Sequence, residues 1–187
     1  MQPEELAREV DRLKSREEIK QVMSLYLDLA DRADQLAQAN ECFHEDALFI
    51  FQKGSEPVLA KDFFASMAGI EEQVGFFQSQ HYWSNPMIRF ISGDEAVAQF
   101  YLWAQHFVPA DSADAPPYFP TTGEDYGLII GARYFDIFTR RNGKWRIAKR
   151  ELNFEWDARI DPSQIRGPLS AGRKVVPSEF WDYQPES

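Results

Sequence analysis

The chain has 187 residues, 44% of them hydrophobic and 14% aromatic, enough for one domain with a sizeable aromatic core. Its net charge of −10 at pH 7, with no basic cluster to offset it, argues against nucleic acid, whose phosphates it would repel. No apolar run is long enough to span a bilayer, and a single cysteine, Cys42, excludes an internal disulfide and fits a reducing cytoplasm.

Met1 to Glu5 open as a charged helix and not as a signal peptide. Over positions 4–33, Ile19, Val22, Met23, Tyr26, Ala30 and Ala33 follow the three-and-four spacing of one buried helical stripe. Ser15 followed by Glu18 has the form of a capping box, so a break or a fresh helix start is expected near Ser15. Asp34 can cap a second helix over 35–43. A short strand is expected over 47–51 and a helix over 61–75. Cys42, beside Phe43, reads as a packed and inert thiol, and His44 as a surface residue.

The second half is strand-like, over about 79–91, 94–109, 126–141 and 144–157. Ser92-Gly93-Asp94 and Arg141-Asn142-Gly143 are hairpin turns, and Arg140, Arg141 and Lys144 read as a solvated hairpin tip. A Pro-, Ala- and Asp-rich loop fills 109–122. Beyond Arg159 an irregular tail carries Phe180, Trp181 and Tyr183. Helices followed by a long antiparallel sheet make an α+β protein, and a sheet curved around helices leaves a hollow that suits a ligand.

Strand alternation sorts the candidate pocket residues. Ala96, Ala98, Phe100, Leu102, Ala104 and His106 share one face. On the last strand, Trp145 and Ile147 lie on one face, while Arg146, Ala148, Arg150, Leu152, Phe154 and Trp156 take the other. Arg150 among apolar neighbours demands a partner. Either it forms a structural salt bridge to Asp136 or Glu151, or it serves as a pocket cation. His81 shares its side of the strand with Trp83, Asn85 and Met87, and Asp31 lies at the margin of the helix's buried stripe.

The order Tyr26-x4-Asp31-x2-Asp34, then Phe43-x-Glu45-Asp46-Ala47, resembles the opening of SnoaL-like proteins of the nuclear transport factor 2-like superfamily. His81-x3-Asn85, Gly93-Asp94-x-Ala96 and the run from Tyr134-x-Asp136-x-Phe138 through Trp145-x-Ile147-x2-Arg150 continue it. The resemblance implies one domain over 1–187, with its core at about 5–157 and the tail at 158–187. It implies a cone-shaped α+β barrel in which N-terminal helices pack on a strongly curved, mainly antiparallel sheet enclosing a pocket.

In function the chain is most similar to the scytalone dehydratase, bile-acid 7α-dehydratase and lindane dehydrochlorinase types of that superfamily. The resemblance implies a histidine–aspartate pair at His81 and Asp31, with Tyr26, His106 and Arg150 as the other catalytic candidates. Trp83, Asn85, Phe100, Tyr134 and Trp156 are the substrate-binding candidates. The expected activity is a cofactor-independent lyase or dehydratase, or a related isomerase, acting on a cyclic, largely apolar molecule. The resemblance also implies a homo-oligomer, trimer or dimer. A non-catalytic carrier or an oxygenase small-subunit-like module is the alternative. His81, His106 and Asp31 also make a conceivable two-histidine, one-carboxylate set for iron or zinc, but without any ligand spacing in sequence; no metal is expected.

Overall fold

A computed structural model of the chain describes residues 2–68, 78–108, 110, 122–161 and 163. The chain opens on α1 (Pro3–Asp31), which buries Ser15, Ile19, Met23, Tyr26, Leu27 and Leu29. The break expected at Ser15 does not occur. No proline or glycine interrupts the helix there, and the buried Ser15 hydroxyl accepts from Arg140 at 3.3 Å instead of capping a new start. Arg140 also pairs with Asp11 at 2.9 Å and with Asp94 at 2.7 Å. It therefore ties a hairpin to the helix and is not a solvated tip residue.

Past α1 the chain turns through Ala33 in the left-handed region, at φ 57°. The Asp34 carboxylate then accepts from the Ala37 amide at 3.0 Å, as its capping role requires. The single helix expected over 35–43 is instead a short α2 (Gln35–Ala37) followed by a π-helical turn, Gln38–Cys42. That turn directs the Gln38 side chain back to α1, where it donates to the Tyr26 carbonyl at 3.0 Å. Cys42 is fully buried, and loss of solvation pushes its thiol up to about 12, so it stays protonated and inert.

The first strand, β1 (Phe43–Ile50), starts earlier than expected, and β2 (Val58–Leu59) leads into α3 (Ala60–Met67). The expected helix over 61–75 is described only as far as residue 68. Four long strands complete the sheet: β3 (Gln78–Phe90), β4 (Glu95–Val108), β5 (Tyr126–Arg141) and β6 (Lys144–Ile160). Asn142 at φ 52° and Gly143 at φ 75° form the two-residue turn that matches strand twist in the β5–β6 hairpin. The order is β2-β1-β6-β5-β4-β3, with β1 parallel to β6 and every other pair antiparallel. The architecture is the expected α+β cone, with a mixed sheet that stays open instead of closing into a barrel.

β4 alternates as expected, with Ala96 to His106 inward. β6 does not, because two register shifts, between Ile137 and Phe138 and between Gly131 and Ala132 on β5, each insert one extra residue. Ala148 is the first extra residue, so Arg150 joins Trp145 and Ile147 on the inner face. Glu155 is the second, and it turns Trp156 to the outside. A strict two-residue period cannot foresee either. His44, read as a surface residue, is half-buried, with Nε2 2.9 Å from the Thr139 carbonyl. The loop over 109–122 and the tail's aromatic residues lie largely or wholly outside the described residues. Among the described residues, no helix is long and apolar enough to cross a membrane.

Candidate active site

Asp31 is the last residue of α1, where the helix dipole disfavours a carboxylate by a few tenths to about 1 kcal/mol. What holds it there is β3, an edge strand of the sheet. His81 Nδ1 lies 2.7 Å from Asp31 Oδ1, and the His81 backbone N–H donates to Oδ2 at 3.3 Å. One carboxylate thus serves an edge-strand amide and the imidazole of the same residue. A carboxylate only accepts, so Nδ1 carries the proton, and Nε2 keeps its lone pair as the ring's remaining acceptor.

The His106 ring stands edge-on to His81, with centroids 5.1 Å apart. Burial holds the His106 imidazole well below the ordinary histidine range, and the charge that His81 acquires on protonation adds to the effect. His106 is therefore neutral at pH 7. Tyr26 from α1 and Tyr134 from β5 meet at 5.8 Å with their rings nearly perpendicular. Burial pushes both hydroxyls up, with the Arg150 charge opposing, so both remain protonated and able to donate.

Arg150 is fully buried, and its fork meets the Asp136 carboxylate through Nε at 2.8 Å and Nη2 at 2.6 Å. The two residues face each other directly across β5 and β6. Of the two roles left open by the sequence, the geometry is that of the structural salt bridge, and Asp136, not Glu151, is the partner. The guanidinium also lies 4.0 Å from the Tyr26 ring centroid and 4.2 Å from that of Tyr134. Burial works against both charges: at Arg150 the Asp136 charge and hydrogen bond, with the two tyrosines, together outweigh it and raise the pKa, whereas at Asp136 burial prevails over Arg150 and lifts the carboxyl above its ordinary range. The cation therefore sits behind the two tyrosines and off the cavity wall.

The cavity itself has a volume of about 170 Å³. Its polar lining consists of Tyr26, Gln35, Gln38, His81, His106 and Tyr134. Its lining also includes Phe49, Phe51, Phe63, Phe64 and Phe154, an aromatic wall in which Phe49 and Phe63 stack at 4.3 Å and Phe64 meets the Tyr26 ring edge-on at 6.0 Å. Four expected site residues, Tyr26, His81, His106 and Tyr134, therefore line one space, with Asp31 bound to His81. The others lie elsewhere. Phe100 is fully buried beneath Tyr134, at 5.1 Å between ring centroids. Trp83 donates to the Ser24 hydroxyl at 3.0 Å, against α1. Asn85 is exposed at a bulge in β3, in the left-handed region at φ 51°. Trp156 lies on the outer face of the sheet, 47% exposed.

Gln35, Gln38 and the phenylalanine wall are the lining that sequence reading missed. The alternation Phe49-x-Phe51 and the adjacent Phe63-Phe64 signal buried faces, but not that the faces meet. Among the described residues, no three His, Cys, Asp or Glu side chains are grouped so as to hold a metal ion. The arrangement offers one imidazole base oriented by a carboxylate, several neutral donors and an apolar wall.

The same fold occurs in a hexachlorocyclohexane dehydrochlorinase, LinA type 2, at 18% identity and a TM-score of 0.68, covering 86% of this chain and 98% of that one. LinA type 3 from Novosphingobium barchaimii LL02 gives 17% identity and a TM-score of 0.67, covering 86% and 99%. A protein named as a scytalone dehydratase from Novosphingobium aromaticivorans gives 22% identity and a TM-score of 0.63, covering 88% and 98%. At these identities the likeness is one of fold. No curated protein matches the chain by sequence. The SnoaL-like domain matches residues 11–151, about three quarters of the sequence, and the chain belongs to that family.

Proposed function

We propose that this protein is a cofactor-independent lyase that eliminates water from a neutral, single-ring compound bearing a hydroxyl group, with His81 as the base. The observation that carries this reading is the 2.7 Å contact between Asp31 and His81 Nδ1 at an aromatic cavity. Asp31 fixes the tautomer and stabilises the imidazolium; His81 Nε2 takes a proton from a ring carbon next to a carbonyl. The C–H electron pair becomes the new double bond as the neighbouring C–O bond breaks. The departing hydroxide takes the proton back from His81 and leaves as water, which restores the neutral imidazole. Tyr26 and His106 donate to the charge that builds on the carbonyl oxygen, and the Tyr134 hydroxyl, which donates to that of Tyr26, holds Tyr26 in place.

Cavity size and chemistry support the choice of substrate class. A cavity of about 150 Å³ holds a benzene-sized molecule, so about 170 Å³ admits one ring and few substituents. Among the described residues no aspartate, glutamate, lysine or arginine lines it. A charged substrate would lose solvation with nothing to replace it. The Arg150 charge acts through the tyrosines in front of it and has no direct contact with substrate.

Hydroxylated cyclic ketones, assayed by the absorbance of the enone product, test this reading. His81→Ala should lower turnover by about a hundredfold or more with the fold intact; full turnover in that variant would remove His81 as the base. The same cavity would serve a non-catalytic carrier, and tight binding of single-ring ketones without turnover would favour that second reading. We also propose that the chain works as a homo-oligomer, dimer or trimer.

A further inference from the structure

Gln38 is 3% exposed and lines the cavity together with Tyr26 and His81. Its Nε2 donates to the Tyr26 carbonyl at 3.0 Å. A carbonyl only accepts, so this contact decides which way the amide faces: the nitrogen meets α1 and Oε1 is turned from it. The helix does not require the bond. Tyr26 lies five residues before the end of α1, and only the last four carbonyls of a helix lack a backbone partner. The contact therefore serves to orient Gln38.

Among the described residues no group donates to Oε1. A buried amide oxygen without a donor has a cost that methionine or leucine at this position would avoid. The π-helical turn Gln38–Cys42 brings the side chain there, a departure from the α-helix of a kind that recurs at functional sites.

We propose that Gln38 Oε1 accepts a hydrogen bond from the leaving hydroxyl of the substrate, as a positioning residue that selects a hydroxyl at that place on the ring. The inference rests on the dehydration reading of the cavity. In that reaction His81 Nε2 must meet a C–H, yet the substrate's O–H is the stronger donor and competes for the same nitrogen. A substrate held that way occupies the base and misplaces the reacting carbon. Tyr26 is committed as a donor to the carbonyl oxygen, and Tyr134 as a donor to Tyr26. With its proton held by Gln38, the hydroxyl keeps its lone pairs for the proton that His81 returns as the C–O bond breaks. A chloride or methoxy group in the same place has no proton to give and would leave Oε1 buried and unmet.

Binding is measured in His81→Ala, where elimination is stopped and Nε2 no longer competes for the hydroxyl. The probes are 3-hydroxycyclohexanone and 3-methylcyclohexanone, alike in ring and carbonyl. Adding Gln38→Met should weaken binding of the hydroxy probe about fivefold or more and that of the methyl probe less than about twofold. A merely structural role would weaken both alike. A second measurement leaves Gln38 in place. Its side-chain carbonyl carbon-13 signal should move downfield, as when an amide accepts a hydrogen bond, with the hydroxy probe and not with the methyl probe. Equal effects on both probes, an unmoved carbon signal, or failure of the hydroxy probe to bind would overturn the proposal. So would a hydroxyl preference lost in Gln35→Met and kept in Gln38→Met. Enone formation by the wild type is read separately. Its absence, with the hydroxyl preference intact, would overturn the lyase reading alone; turnover without that preference would overturn the role of Gln38 alone.

Discussion

Replacing Arg150 with methionine tests the energetics at the heart of the fold. The substitution keeps an unbranched apolar stem but leaves the fully buried Asp136 carboxylate, now held at 2.6 and 2.8 Å, without its partner. Breaking a buried pair from one side costs about 3–5 kcal/mol. The guanidinium's contacts with the Tyr26 and Tyr134 rings add to the loss, at up to about 2 kcal/mol for a desolvated cation–π contact. Against a total stability of about 5–15 kcal/mol, Arg150→Met should lower the melting temperature by roughly 10 °C or more. Arg150→Met combined with Asp136→Leu removes both charges and should return to within about 2 kcal/mol of wild type.

The pH dependence gives a second check on the same variant. Burial already pushes the Asp136 carboxyl up from its ordinary 3.8, and Arg150 opposes that. Without Arg150 the folded pKa rises further. A group whose folded pKa lies above its unfolded value adds stability at low pH and loses it as pH climbs through the folded pKa. The deficit of Arg150→Met should therefore shrink as pH falls from about 7 toward about 4. Urea denaturation across that range reads both effects. A single variant within about 1 kcal/mol of wild type, with no dependence on pH, would refute the argument.

His106 gives the opposite sign from that of a salt-bridged histidine. Its folded pKa lies well below the ordinary 6.5, so below pH 6.5 the unfolded chain binds a proton that the native state refuses. That contribution to stability is complete above 6.5 and falls by up to about 1.4 kcal/mol per pH unit below it. His106→Gln should flatten this part of the urea-denaturation profile, and an unchanged slope would contradict the assignment. Gly131→Ala should cost about 1–3 kcal/mol and shift tryptophan emission as the Trp156 indole is displaced. In a Trp156→Ala background the same change should cost almost nothing, and equal costs in both backgrounds would show that Gly131 has another role. Asp31→Asn should lower turnover by about a hundredfold while leaving substrate affinity nearly unchanged.

Much of the fold was legible because the chain writes its faces plainly. The stripe from Ile19 to Ala30, the alternation from Ala96 to His106 and the Asn142-Gly143 turn each encode geometry locally. The π-helical turn and the two β6 bulges were not legible, because each is decided by tertiary packing and changes which way later residues point. Arg150 and Trp156 show the consequence. The first belongs with Trp145 and Ile147 once Ala148 is counted as an insertion, and the second leaves the inner face altogether. The Asp31–His81 contact spans 50 residues, so no spacing rule could derive it; the motif resemblance suggested it and the meeting of α1 with an edge strand supplies it. The phenylalanine wall needs β1, α3 and β6 to converge, which no single segment reveals.

The central claim is that Asp31 orients His81 so that Nε2 accepts a proton. Nitrogen-15 NMR of the histidine rings in wild type and in Asp31→Asn addresses it without a substrate. In the neutral form, the wild-type His81 ring should carry its proton on Nδ1 and show an unprotonated Nε2. Asp31→Asn should disturb that tautomer while leaving the His44 signals in place. A His81 protonated on Nε2 in the wild type, or one indifferent to the substitution, would contradict the account.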